Sequence, residues 1–143
     1  MSEESSPDPA RLARLELFAA IAPAQLTHVA GLMEEREVPA GEHAVRQGDQ
    51  DDAFYVIESG AAEVSVDDVV VRRLDAGDFF GEIAPLRFGR RTASVVALTD
   101  LTLFSLSRFN LRFLAASNPA IAQRLEVAAR ERLETASPKP PAE

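Results

Sequence analysis

A central run of short strand-like segments constrains the fold of this chain more than any other feature. Glycine, proline, serine and aspartate separate these segments at close intervals and mark tight turns. In one segment, Ala62, Val64 and Val66 alternate with polar residues, which is typical of a half-buried strand. Many short strands joined by tight turns predict a closed or double-sheet β structure. The predicted strands are Val38–Val45, Ala53–Glu58, Ala61–Val66, Val69–Leu74, Asp78–Phe80, Thr92–Ala97 and Thr102–Leu106.

Helical periodicity precedes the strands. Apolar residues at helical spacing predict a short amphipathic helix over residues 10–18. Pro23 suits the first turn of a second helix, which is expected to continue through Glu35. Residues 1–9 are rich in serine, proline and glutamate, so we expect a disordered leader there.

The helical period returns after the last strand. Ser107 predicts the cap of a helix over residues 108–116, and Pro119 predicts the start of a longer helix. Residues 135–143 have the composition of a disordered tail. The patterns together predict one mainly β domain with flanking helices over residues 10–134, divided into helices at 10–36, strands at 37–106 and C-terminal helices at 107–134.

Composition and charge exclude several classes of protein. The 143 residues suffice for one domain with its own core. The net charge of −8 argues against nucleic-acid binding, which requires a basic surface. Cysteine is absent, so disulfides and thiolate metal sites are excluded. Because there is no membrane-spanning apolar run and the acidic start is unlike a signal peptide, we expect a cytoplasmic protein without direct membrane insertion.

Residues 80–95 carry the clearest functional pattern. Gly81 allows the backbone to approach a ligand closely, and amide groups at the start of a helix after Glu82 would attract an anion. Arg91 can add a charge-assisted hydrogen bond to a phosphate oxygen. Because like charges repel, Glu82 does not suit the phosphate, but its carboxylate can accept a hydrogen bond from a ribose hydroxyl. The pattern therefore indicates a site that holds a phosphate and a sugar together.

This segment resembles the phosphate-binding cassette of cyclic nucleotide-binding domains, especially those of cyclic nucleotide-regulated ion channels. Residues 54–60 and 77–80 are also similar to the family. Pro85 departs from it, since relatives usually have leucine there, but a proline in a first helical turn lacks only an amide that would be unpaired. The residues that match the cassette are Phe80, Gly81, Glu82, Ile83, Ala84, Leu86, Arg91, Thr92, Ala93 and Ser94.

The resemblance implies a β-jelly roll with N-terminal helices and C-terminal lid helices, and a cytoplasmic sensor that binds cAMP and possibly cGMP. It implies that the amides of Ile83 and Ala84 hold the cyclic phosphate together with Arg91, while Glu82 holds the ribose 2′-hydroxyl. The alternative for Glu82 and Arg91 is an ion pair that only bridges a loop. Exposed ion pairs contribute little to stability, so the ligand-binding interpretation is favoured.

The same resemblance assigns residues around the rest of the ligand. Thr92 would reach the phosphate or a guanine amino group, and Ala93 is small where the backbone approaches the ligand. Thr92 and Ser94 also suit an ordinary strand. Val64 and Leu74 match apolar positions against the purine, and ordinary core residues of the roll are an equal alternative for both. The last helix would close over the base.

Other functional classes have weaker support. The acidic residues 49–52 lack the glycine and distal glutamate of a calcium loop, and His28 and His43 are isolated, so we expect no metal site. No nucleophile motif is present, and we expect a protein that is not an enzyme. The alternatives are an interaction domain that keeps the fold without a ligand, or the regulatory domain of an ion channel or transcription factor. The expected partners are a cyclic nucleotide and an unknown effector protein, and the thin apolar stripe of the last helix predicts a monomer or weak homodimer.

Overall fold

The computed structural model describes residues 7–19, 21–50, 53–81, 91 and 93–136. The helices in these ranges are α1 (Pro9–Ala13), a short 3-10 turn (Glu16–Phe18), α2 (Pro23–Leu32), α3 (Arg108–Ser117) and α4 (Pro119–Ala136). The strands are β1 (Glu34–Val38), β2 (His43–Val45), β3 (Phe54–Ser59), β4 (Ala62–Val66), β5 (Val69–Leu74), β6 (Phe79–Phe80), β7 (Ser94–Ala97) and β8 (Leu101–Leu106).

The strands form two antiparallel sheets of four strands each. The helix-side sheet has the order β1–β8–β3–β6, and the outer sheet has the order β2–β7–β4–β5. Strands that are far apart in sequence pair with each other, as β1 does with β8 and β2 with β7. The predicted mainly β fold, a double-sheet jelly roll with helices before and after it, is confirmed.

In the helix-side sheet, the start of β3 is buried on both faces. Phe54 and Val56 of β3 pack against the helices, whereas Tyr55 and Ile57 of the same strand face the outer sheet. Successive side chains of a strand point to opposite faces, so a strand between two layers must be apolar at every position. The continuous apolar run at the start of β3 is therefore explained by the helical layer on one side and the second sheet on the other.

Two predicted boundaries differ from the structure near the start of the roll. The sequence pattern predicts one strand over residues 38–45, but Gly41, at φ 89°, turns the chain between β1 and β2. The second helix ends at Leu32 because Met33 is extended, and β1 begins at Glu34. Pairing of Glu34 with Ser105 of β8 overrides the helical preference of the glutamates.

Local signals set the ends of two helices. Asp8 caps α1 by accepting a hydrogen bond from the amide of Ala10 at 2.9 Å, so α1 begins inside the predicted leader. Ser107 caps α3 as predicted, accepting from the amide of Asn110 at 3.1 Å. The last helix continues to Ala136, within the predicted tail. Within the described ranges, no helix is long and apolar enough to cross a membrane.

A charged cluster fastens the first helix to the roll. Arg11 of α1 donates to both carboxylate oxygens of Glu58 on β3, with Nε at 2.8 Å from Oε2, and to Glu35 on β1 at 2.9 Å. Its guanidinium also lies 5.0 Å from the ring centre of Phe104. The pKa of Arg11 is raised above its ordinary value, mainly by the hydrogen bonds to Glu58 and secondly by the one to Glu35. This bidentate geometry favours arginine over lysine at this position.

We expect Arg11→Ala to lower the free energy of unfolding by about 1–2 kcal/mol, between the values for exposed and buried ion pairs. The side chains of Arg11 and Glu58 are 33% and 20% exposed, so solvent screens the pair only in part. Urea denaturation measures the loss. Arg73→Ala is the matched control, because Arg73 and Asp75 form a pair with side chains 63% and 60% exposed. Equal losses in the two variants would contradict a specific role for the Arg11 cluster.

Candidate functional site

The candidate site begins where β6 pairs with β3. Tyr55 lies opposite Phe80 in this pairing, and their rings stack with centres 5.1 Å apart and planes at 27°. Gly81 follows Phe80 directly, which brings its backbone next to Ala53 and Phe54 at the start of β3. The end of β6 and the start of β3 therefore form one wall of the candidate site.

Gly81 occupies a position that other residues fit poorly. Its φ is 94°, in the left-handed region, where a side chain is strained. A Cβ atom at this position would lie 2.6 Å from the carbonyl oxygen of Ala53 and 2.8 Å from Nη1 of Arg91. The glycine thus allows the Arg91 guanidinium to pack against the backbone, while its close approach to a ligand stays a prediction.

Arg91 lies beneath the surface beside Gly81. It is 5% exposed and is the one buried polar or charged residue in the part of the chain that the structure describes. Its Nη2 donates to the carbonyl oxygen of Ala53 at 2.5 Å, and its guanidinium carbon lies 5.7 Å from the ring centre of Tyr55. In a chain of net charge −8, a cation held this way would attract a small anion, and this role of Arg91 stays a prediction.

The loop between β2 and β3 holds the backbone of Arg91 in place. The amide of Arg91 donates to the carbonyl of Asp49 at 2.8 Å, and its carbonyl accepts from the amide of Gly48 at 2.9 Å. Gln47 in the same loop exchanges two hydrogen bonds with Asp67 in the β4–β5 turn, at 3.0 and 2.8 Å. The β2–β3 loop therefore holds Arg91 directly, and this loop is in turn joined to the β4–β5 turn of the outer sheet.

Ala93 lies just before β7 and Ser94 is its first residue, and both are half-buried. The hydroxyl of Ser94 accepts a hydrogen bond from the amide of Gln47 at 2.8 Å. In this arrangement Ser94 stabilises the loop next to Arg91. Contacts of Ala93 and Ser94 with a ligand stay predictions.

The two residues predicted to face the purine differ in burial. Leu74 is 1% exposed and belongs to the core between the sheets. Val64 is half-buried and packs against that core. On β4 it lies opposite Val95 of β7, and the β4–β5 register shifts between Val64 and Ser65. Leu74 therefore packs in the core, whereas part of Val64 is accessible, and contacts of either residue with a purine stay predictions.

Four predicted site residues, Glu82, Ile83, Ala84 and Thr92, lie outside the described residues, as does Pro85. Of the predicted site, the structure therefore brings together Gly81 and Arg91, with Ser94 tied to the same loop. No group of three histidine, cysteine or acidic side chains in the described ranges could hold a metal ion.

Tyr55 and Gln47 contribute to the site without any local sequence pattern that indicates it. Tyr55 stands inside residues 54–60, whose pattern indicates the family but no role in the site. Its ring contact with Arg91 joins residues far apart in sequence, so no local pattern could indicate it. Gln47 carries no signal in the sequence, because its partners Asp67 and Ser94 are 20 and 47 residues away.

Comparison with known proteins identifies the relatives of this fold. The family model described as the cyclic nucleotide-binding domain matches residues 35–118. A cAMP-dependent protein kinase regulatory subunit from Emericella nidulans is 34% identical over 121 residues, covering 83% of this chain and 29% of that protein. A cyclic nucleotide-gated potassium channel from Rhizobium etli is 35% identical over 121 residues, covering 85% of this chain and 34% of that protein.

A solved structure agrees with these relatives. The regulatory domain of Toxoplasma gondii PKA with cAMP superimposes with a TM-score of 0.77 at 26% identity, covering 86% of this chain and 48% of that one. Kinase regulatory subunits and channels thus match at nearly equal identity, and the resemblance to channels is shared with the kinase subunits. The chain spans 29% and 34% of the two curated relatives.

Proposed function

Because the chain belongs to the cyclic nucleotide-binding domain family, we propose that it is a regulatory sensor that binds cAMP, with cGMP as a second ligand of the same site. The observation that carries this proposal is the buried guanidinium of Arg91 beside Gly81. A cation kept from water at the end of the sheets gives a cyclic phosphate a strong charge-assisted partner. The kinase domain solved with cAMP supports the choice of nucleotide.

The residues that match the cassette would make the remaining contacts with the nucleotide. Arg91 and the amides of Ile83 and Ala84 hold the cyclic phosphate, and Glu82 accepts the ribose 2′-hydroxyl. Thr92 reaches the phosphate or the guanine amino group, and Val64 borders the base. The site needs no metal for this, and its residues supply neither an activated water nor a base at phosphorus, so we expect no hydrolysis of the ligand.

The proposed signal is closure of α4 onto the occupied site. Ile121 and Leu125 anchor this helix, each 2% exposed, and Nη1 of Arg124 donates to the carbonyl of Glu16 at 2.8 Å. Nucleotide would shift the population towards the closed arrangement only by the extra contacts that it makes there. An effector protein would then recognise the moved helix, and we expect no role for nucleic acid.

Calorimetric titration with cAMP and then cGMP tests this function. We expect binding in the micromolar range or tighter, and 5′-AMP, which lacks the cyclic phosphate, is the control ligand. At about 100 times Kd, cAMP adds about 2.7 kcal/mol to stability, which raises Tm by roughly 5–10 °C for a domain of this size. Absence of both heat and thermal shift with either cyclic nucleotide would leave the ligand-independent interaction domain as the function.

A further inference from the structure

Tyr55 is the only tyrosine in a chain without tryptophan. It is 5% exposed and lies between the two sheets on β3. Phe80 stacks against its ring, with the ring centres 5.1 Å apart. Because Phe80 directly precedes Gly81, this strand pairing places the Tyr55 ring next to Gly81. The ring is therefore fixed by packing at the edge of the candidate site.

Two arginines meet this single ring. The guanidinium carbon of Arg91 lies 5.7 Å from the ring centre, and that of Arg36 lies 5.5 Å from it. Arg36 also donates from Nη1 to the Tyr55 hydroxyl at 3.1 Å. Arg36 sits on β1 opposite Leu103, whose side chain faces the core between the sheets, so it reaches across β8 to the tyrosine.

We propose that the ring of Tyr55, fixed by its stacking on Phe80, is a positioning residue for the phosphate-binding guanidinium of Arg91. This inference rests on the proposed function. The negative face of an aromatic ring attracts a guanidinium, and the attraction is strongest where water is excluded. An arginine side chain has large rotamer freedom, so a fixed ring that holds it before the ligand arrives lowers the ordering cost of binding.

Geometry separates the two parts of the tyrosine. The ring contacts the guanidinium groups of both Arg91 and Arg36, whereas the hydroxyl accepts a hydrogen bond from Arg36. Tyr55→Phe keeps the ring and its stacking on Phe80 but removes the hydroxyl. Tyr55→Leu keeps an apolar side chain but removes the ring. We therefore expect cAMP affinity to fall when the ring is removed and to change little when only the hydroxyl is removed.

Titration of these variants with cAMP tests the inference. We expect Tyr55→Leu to weaken binding about 3- to 30-fold, the range of a partly desolvated cation–π contact, and Tyr55→Phe to stay within about threefold of wild type because the ring contact remains. Ile57→Ala is the matched control for lost stability, since Ile57 is fully buried on the same face of β3 two residues further on. It should lower Tm but leave the cAMP affinity within about threefold of wild type, because the deletion costs core packing alone.

A spectroscopic test covers the case in which Tyr55→Leu does not fold. With 3-fluorotyrosine the wild-type chain gives one 19F resonance, because there is one tyrosine. We expect this resonance to move on addition of cAMP and to move in unliganded Arg91→Ala. A resonance unchanged in both, or wild-type affinity in Tyr55→Leu, overturns the positioning role alone. No cAMP binding by wild type overturns the proposed function and this inference with it.

Discussion

Replacing Arg91 with alanine is expected to weaken cAMP binding by about 2–5 kcal/mol, the cost of truncating one partner of a desolvated charge pair. Calorimetry would record this as a rise in Kd of roughly 30- to 5,000-fold. The physical reason is the burial of Arg91, which is 5% exposed and fixed by the Ala53 carbonyl and the Tyr55 ring. The phosphate of the ligand would lose a charge-assisted partner at a place where water replaces it poorly.

Two further variants separate charge from geometry in this experiment. Arg91→Lys keeps the positive charge but not the planar fork, so its affinity should fall between wild type and Arg91→Ala. Arg73→Ala removes one positive charge from the exposed pair that Arg73 of β5 forms with Asp75, and this variant should bind cAMP as wild type does. Equal binding by Arg91→Ala and wild type would remove Arg91 from the phosphate site and would contradict the proposed arrangement.

Gly81→Ala is expected to damage both folding and binding. The Cβ would lie within 3 Å of the Ala53 carbonyl and of Nη1 of Arg91, at distances of 2.6 and 2.8 Å. Backbone carbonyls move little, so the guanidinium has to leave its place. We expect a loss of about 2–4 kcal/mol in the free energy of unfolding, from strain and overpacking together. We also expect at least roughly tenfold weaker cAMP binding, because Arg91 is no longer preorganised.

Gly77 offers a matched control for this substitution. Its φ is 94°, the same as that of Gly81, but a Cβ there meets no atom within 4 Å. Gly77→Ala should therefore show the backbone strain alone, about 1–2 kcal/mol, with cAMP affinity unchanged. Urea denaturation and calorimetry of both variants measure the difference. If Gly77→Ala and Gly81→Ala lose the same free energy of unfolding and bind cAMP equally well, the close packing of Arg91 against Gly81 does not contribute to binding.

Local patterns of the sequence predict much of this architecture. Strand alternation in residues 62–66 and the turn residues between segments predict the double-sheet roll, and Ser107 predicts the start of α3. The cassette motif groups Gly81 with Arg91, and the structure places the two side by side, while their joint action on a ligand stays a prediction. These features could be predicted because each depends on residues that are close in sequence or on a motif with fixed spacing.

The remaining features depend on distant pairing. The glutamates at the start of β1 have a helical preference, and only their pairing with β8 makes them a strand. Arg11 meets Glu35 and Glu58, which are 24 and 47 residues away. Whether Leu74 faces a ligand or the core depends on which residues of the opposite sheet cover it. Periodicity carries no information on such partners.

Strands β3 and β8 belong to two cores at once, and this has a thermodynamic consequence. Phe54 and Phe104 serve the helical layer, whereas Ile57 and Leu103 serve the space between the sheets. Unfolding of either core would expose one face of β3 and β8 to solvent, and the packing on the other face of the same strands would then be weakened. Helices and roll should therefore melt in a single transition with equal calorimetric and van't Hoff enthalpies. A nucleotide bound at the roll would then protect amide hydrogens of α2 and α3 from global exchange as strongly as those of the strands.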